Sequence, residues 1–296
     1  MKPLLTPKLD LVFKLLLTGD PAILLDLVNT VLASPEHLHI QAVEVKNPTI
    51  LPEELDKKFI ILDILAVDDR CRQYDIEMQV QSYSHYPERT LYYLSKLYAG
   101  QLDSGEEYAR LHPVIGIHFL GYEQFPEQAA WQWSFELRDR CDPAVRLTDH
   151  VLLHFVELPK FERFSHRQDW GQALFEWLHF LNHAHEEGEK TMQIQYQHPV
   201  IQQAFQRLAQ LSADEEIRRR AEIREKALKN EASMLAEARD DGIRIGELIG
   251  SIWTLQRILR RPISGEPELR NYNVATLQQM LQELEMILNN SLHIAR

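Results

Sequence analysis

Between Phe59 and Val80 the chain carries two neighbouring strand signals, and a single acid interrupts the first. Residues Phe59 to Val67 are apolar on both faces except at Asp63. Residues Gln73 to Val80 alternate, with Tyr74, Ile76, Met78 and Val80 on one face and Gln73, Asp75, Glu77 and Gln79 on the other. The polar stretch Asp68 to Arg72 has the length of a hairpin loop. Folding the hairpin about Arg70 sets Asp63 opposite Glu77, because each lies seven residues from that centre. Directly opposed side chains point to one face with Cβ atoms about 4.5–5.5 Å apart. Gln79 shares the face, since strand side chains repeat every two residues. A slip of one residue would turn Asp63 to the other side.

An ionised carboxylate is costly to bury alone, so Asp63 either pairs with a cation or borders an open site. Two carboxylates and an amide converging on one face repel unless a divalent cation joins them. Mg²⁺ asks for few carboxylates, hard oxygen ligands and several retained waters. Such an ion polarises a phosphoryl oxygen and acidifies a water that attacks it. The bland alternative is a solvated polar face on which Asp63 pairs with Lys57, Lys58 or an arginine.

Around this hairpin the chain reads as α/β. Leu9, Val12, Phe13, Leu16 and Leu17 recur at helical spacing, and Asp20-Pro21 predicts a cap and first-turn proline for a second helix through Val31. Leu38 to Val45 predicts a short strand, Tyr86 to Leu102 a helix, and Pro113 to Tyr122 and Val151 to Leu158 two further strands. That order implies a mixed sheet flanked by helices. Beyond Phe164 the pattern turns helical, over 168–184, 198–211 and 213–241. The stretch from Asp214 to Arg239 sets opposite charges three to four residues apart, as a solvated helix does. Gly242, Gly246 and Gly250 mark a weakened helix or close helix packing. Two terminal helices are expected over 252–259 and 274–288. The expected divisions are a core over 1–165, a helical extension over 166–211, a charged long helix over 212–250 and a helical pair over 251–296.

Composition narrows the function classes. Only Cys71 and Cys141 are present in 296 residues, neither a disulfide framework nor a zinc spacing, which suits a reducing cytoplasm. Lys8, Asp10 and Lys14 break the first apolar run, so no signal-peptide layout is expected, and no run is long enough to span a bilayer. A net charge of −12 argues against coating nucleic acid by bulk electrostatics, though not against a local cationic patch.

The series Lys8-x-Asp10-x-x-Phe13-Lys14, Leu62-Asp63-Ile64, Tyr74-Asp75-Ile76-Glu77-Met78-Gln79, Arg89-x-x-x-Tyr93, Gln101-Leu102-x-x-Gly105-x-x-Tyr108 and Pro113-Val114-Ile115 resembles the Rpn family. These are recombination-promoting, transposase-like nucleases of the PD-(D/E)XK superfamily. The resemblance runs from about Thr6 to Phe164. It implies a restriction-endonuclease-like core with metal ligands at Asp63 and Glu77, Mg²⁺ (or Mn²⁺ or Ca²⁺) as cofactor and DNA as substrate. It sets Gln79 where the superfamily has a lysine, and Asp10 at an additional acidic position. A glutamine performs only the hydrogen-bonding part of a lysine's work, which leaves Lys14, Lys57 and Lys58 as the alternatives for the charge.

Other residues carry less. Arg89 and Lys96 share a helix face and suit phosphates, as do Lys14, Lys57 and Lys58, unless that face is only solvated. Tyr92, Tyr93 and Tyr98 suit base stacking or, more simply, the core. His112 and His118 bracket a strand and read as structural. His179 and His183 have the i, i+4 spacing of some zinc sites but lack the accompanying glutamate. The leading expectation is a metal-dependent DNA endonuclease promoting recombination- or transposition-related events. The competing one is an inactive nuclease-fold protein acting through DNA binding or its helical C-terminal region. There, Leu277, Met280, Leu281, Leu284 and Leu288 form an apolar stripe that needs a partner surface, from the same chain or from a second copy in a homo-oligomer.

Overall fold

The computed structural model describes residues 3–33, 39–46, 49–50, 60–61, 63–164, 172–187 and 196–294. Helix α1 (Asp10–Thr18) buries Val12, Phe13, Leu16 and Leu17. Helix α2 (Pro21–Leu32) starts as its sequence requires: the Asp20 carboxylate accepts from the Ala22 N–H, and Pro21 fills the first turn. Strands β1 (Val43–Lys46), β2 (Thr49–Ile50), β3 (Ile60–Ile61), β4 (Ile64–Asp68) and β5 (Gln73–Gln79) follow. Then come α3 (Tyr86–Ala99), β6 (Val114–Leu120), β7 (Gln132–Arg138), β8 (Arg146–Glu157) and α4 (Leu158–Phe164). The chain continues as α5 (Gln172–His183), α6 (Pro199–Ala213), α7 (Glu215–Ile258), α8 (Glu266–Leu269) and α9 (Val274–Ile294).

Six strands form one mixed sheet in the order β1-β4-β5-β6-β8-β7, while β2 and β3 pair separately. The hairpin register is the expected one: Ile64 pairs with Ile76 and Val67 with Gln73. β6 lies parallel to both β5 and β8, so β5 sits inside the sheet with both faces covered. Phe13 of α1 meets Phe119 at 5.7 Å on one face. On the other, Leu94 and Leu97 of α3 pack with Val114, Leu65 and Leu153.

Several expectations needed correction. The apolar run does not form one strand: β4 begins only after Asp63, which lies at a bend, and Phe59 lies outside the described residues. The polar face of β5 is not solvated, because α3 covers it and buries Asp75 and Glu77. β7 carried no clear sequence signal, and at the sheet edge most of its residues are half-buried or exposed. The charged helix does not end before Gly242 but runs unbroken from Glu215 to Ile258. A Cβ on Gly242, Gly246 or Gly250 would meet nothing within 4 Å, so close packing does not account for these glycines.

The chain divides into two compact units, Met1–Glu225 and Lys226–Arg296. In the first, α1, α2, α5 and α6 pack on one another, and Trp177 of α5 donates to Asp26 of α2 at 2.7 Å. In the second, Leu277 and Leu284 of α9 bury against Ile249 and Ile252 of α7 and Leu269 of α8, so the apolar stripe finds cover within its own chain.

Candidate active site

The paired carboxylates lie where β4 begins and β5 runs toward its end. Continuing the Ile64↔Ile76 register by one residue brings Asp63 across from Glu77. The Met78 N–H donates to Asp63 Oδ2 at 3.1 Å, tying the bend to β5. Burial raises the Asp63 pKa to about 7, helped by repulsion from Glu77 and Asp10; the Met78 bond and Lys14 act against it. Its carboxyl opens on a cavity of about 270 Å³ lined by Asp10, Leu11, Lys14, Asp63 and Arg224.

Arg224, on the third turn of α7, was not anticipated. Its Nε donates to Asp10 Oδ2 at 2.7 Å, while Asp10 Oδ1 accepts from the Leu11 N–H at 2.7 Å. Nothing local distinguishes Arg224 from the other arginines of that helix. Its place follows from the docking of the first turns of α7, where Ala221 is buried.

Glu77 faces α3. Tyr86 Oη donates to Glu77 Oε2 at 3.2 Å, and the same hydroxyl lies 3.0 Å from His118 Nδ1. A hydroxyl has one proton to give. Given to Glu77, it leaves an oxygen lone pair for the His118 Nδ1–H, so His118 Nε2 carries the ring's lone pair. That nitrogen stands 4.0 Å from Asp75 Oδ2. Asp75 is fully buried, and neither of its oxygens finds a hydrogen-bond partner among the described residues. Burial first, then Glu77 and Asp63, pushes its pKa well above the usual carboxylate range. Gly116 opposes Asp75 in the register. A Cβ there would stand 2.8 Å from His118 Nε2 and 2.8 Å from Leu153, so only glycine admits this ring.

The Gln79 amide is held at both ends. Its Oε1 accepts from Arg89 Nη2 at 2.9 Å, and its Nε2 donates to the Gln81 carbonyl at 3.0 Å. Arg89 also comes within 3.9 Å of Glu77. The structure thus groups Asp63, Asp10 and Lys14 on the α1 side, and Glu77, Gln79 and Arg89 on the α3 side, of one strand end; the register is as expected, but the bend at Asp63 turns its carboxyl to the α1 cavity, which Glu77 and Gln79 do not line. Lys96 is apart from this group, exposed above the Tyr92 ring at 6.0 Å. Lys57 and Lys58 lie outside the described residues. Tyr92 is exposed, against the expectation of a core role, and Tyr98 bonds His150 at 2.9 Å. His179 and His183 have Tyr196 and Glu162 as partners. His118 is structural in being fully buried, but it belongs to the Glu77 network. That membership depends on the parallel β5–β6 register, which no local pattern announces.

Among the described residues, no group of three or more His, Cys, Asp or Glu side chains forms a ready metal cage. The donor chemistry nevertheless suits a hard cation. Asp63 and Asp10 border an open cavity, Glu77 lies near enough to raise the Asp63 pKa, and a Mg²⁺ that keeps several waters needs only one or two carboxylates. A family model described as PD-(D/E)XK nuclease family transposase matches residues 7–238. No curated protein and no solved structure matches the chain.

Proposed function

This chain belongs to the PD-(D/E)XK nuclease family transposases, and on that premise we propose that it is a metal-dependent endonuclease hydrolysing DNA phosphodiester bonds. Its biological setting would be recombination- or transposition-related cutting. Asp63 and Glu77 would hold the cation, Mg²⁺ or an equivalent divalent ion, with Asp10 as an additional acid beside Asp63. When bound, the ion supplies positive charge at the scissile phosphate and makes a neighbouring water more acidic. Gln79 orients the groups around it. Lys14, Arg89 and Lys96, with Lys57 and Lys58, hold the DNA backbone as charged donors.

One observation carries this reading. Asp63 is a carboxyl with a pKa raised to about 7 by burial and by neighbouring carboxylates, and it borders an open cavity. Unpaired charge of that kind is costly, and it concentrates at functional sites. Asp63→Ala is expected to abolish Mg²⁺-dependent nicking of plasmid DNA while leaving the circular dichroism spectrum unchanged. A variant that nicks as fast as the parent would remove the assignment.

A second reading is a nuclease-fold protein that binds DNA or protein partners without cutting. It draws support from Glu77, which already has Tyr86, His118 and Arg89 around it. Calorimetric titration with Mn²⁺ separates the two. Heat that disappears in Asp63→Ala supports the nuclease, and no heat in the parent supports the binding protein.

A further inference from the structure

We propose that Arg89 provides the positive charge beside Glu77 from helix α3, with Gln79 serving as the bracket that fixes its guanidinium there. The inference rests on the nuclease reading above and assigns Arg89 a part beyond gripping the DNA backbone.

The strand itself supplies no cation. Along its inward face β5 presents Asp75, Glu77 and Gln79, two acids and a neutral amide. Asp63 and Asp10 add further negative charge nearby, and a phosphodiester brings more. Among the described residues, Arg89 is the lysine or arginine paired with Glu77, at 3.9 Å. Its guanidinium is positioned rather than loose. Nη2 donates to Gln79 Oε1 at 2.9 Å, and Gln79 is itself tied to the Gln81 carbonyl at 3.0 Å. Three tyrosine rings surround it, Tyr86 at 4.7 Å, Tyr83 at 5.6 Å and Tyr93 at 5.8 Å. Aromatic faces stabilise a planar cation electrostatically and hold it in one orientation. Arg89 Nε is buried with no hydrogen-bond partner among the described residues.

These contacts give Gln79 and Arg89 one joint role. Both ends of the amide are engaged, so its effect is to place the guanidinium. A lysine at position 79 would extend from the same Cα toward the same region and deliver an ammonium there by itself. Arg89 is accordingly a positioning residue for charge, acting in concert with Gln79. Its loss should lower the rate of the chemical step more than the affinity for DNA.

The test uses the full chain and four variants: Arg89→Ala, Arg89→Lys, Gln79→Lys, and Gln79→Lys combined with Arg89→Ala. Single-turnover nicking of supercoiled plasmid in Mg²⁺ is measured beside the affinity for a fluorescein-labelled DNA duplex in Ca²⁺. Arg89→Ala is expected to slow nicking about a hundredfold, as loss of one positioned donor does, with duplex affinity changed less than about threefold. The double variant is expected to regain about tenfold or more of that loss. If Arg89→Ala melts below the parent, Arg89→Lys provides the second measurement. It keeps the charge and should nick well above Arg89→Ala.

Three outcomes overturn the inference while leaving the nuclease reading in place. In the first, Arg89→Ala nicks like the parent. In the second, its defect lies wholly in duplex affinity. In the third, neither a lysine at 89 nor one at 79 restores any rate in a folded chain. A parent that does not nick DNA at all overturns the nuclease reading, and this inference with it.

Discussion

His154 lies on β8 with its ring facing away from α3, paired in register with Ile117 on one side and Ser134 on the other. Burial lowers its pKa to about 4, further reduced by His118 and opposed by Glu136. The folded chain therefore binds this proton less readily than the unfolded chain, whose histidine titrates near the ordinary 6.5. The contribution of a neutral His154 is complete above pH 6.5 and lost as the pH falls toward 4. Acid unfolding of the parent and of His154→Leu measures it: the variant's transition should lie at lower pH, and coincident transitions would refute the assignment. Asp63 titrates with the opposite sign. Its folded pKa of about 7 lies above the ordinary 3.8, so ionising it destabilises the fold increasingly between those limits. Asp63→Asn should accordingly raise the melting temperature at pH 8 while ending cleavage, the usual balance between function and stability. A melting temperature at or below the parent's would contradict it.

At the scale of elements, α7 stands out. It extends from Glu215 to Ile258 through three glycines spaced four apart, in open space where a Cβ would touch nothing within 4 Å. Glycine costs about 1 kcal/mol against alanine in a helix interior. Replacing Gly242, Gly246 and Gly250 by alanine should stabilise the chain by up to about 3 kcal/mol if the effects add, read as a higher urea midpoint. An unchanged midpoint would mean that these turns are frayed in solution. Strand boundaries followed a different logic. The apolar pattern around Asp63 predicted one continuous strand, yet the pairing with β5 starts at Ile64. A bend at the acid lets its carboxyl accept the Met78 N–H and face the cavity. Periodicity does not register such a bend, because the flanking residues stay apolar.

At the scale of the whole molecule, the candidate site and the C-terminal apolar stripe belong to different compact units. The first unit includes the start of α7. Near the N-terminus, the Ser212 hydroxyl at the end of α6 accepts from the Leu5 N–H at 2.9 Å, and from α7 Arg218 donates to the Pro3 carbonyl at 2.8 Å and Arg224 reaches Asp10. A chain ending at Glu225 should therefore keep Asp63-dependent nicking, while one ending at Leu211 should lose it. Equal activity in both would show that these N-terminal contacts are dispensable. In the second unit Leu277 is fully buried. Leu277→Ala is expected to cost about 2–5 kcal/mol and to unfold residues of α9 first. Hydrogen exchange that rises there while β5 and β6 stay protected would agree; uniform loss across the chain would not. Among the described residues, no helix is long and apolar enough to cross a membrane.

The sequence by itself determined the hairpin and its register, because alternation and loop length are local properties that survive any packing. It determined the Asp20-Pro21 helix start for the same reason. Tertiary structure alone decided what surrounds the acids. α3 turned a polar strand face into a buried one, the parallel β6 brought His118 to Tyr86 and Glu77, and α7 brought Arg224 to Asp10. Each of these contacts joins residues far apart in the chain. They form only when separate elements bury their apolar faces together, and no pattern within a single element encodes where that burial will place a charged side chain.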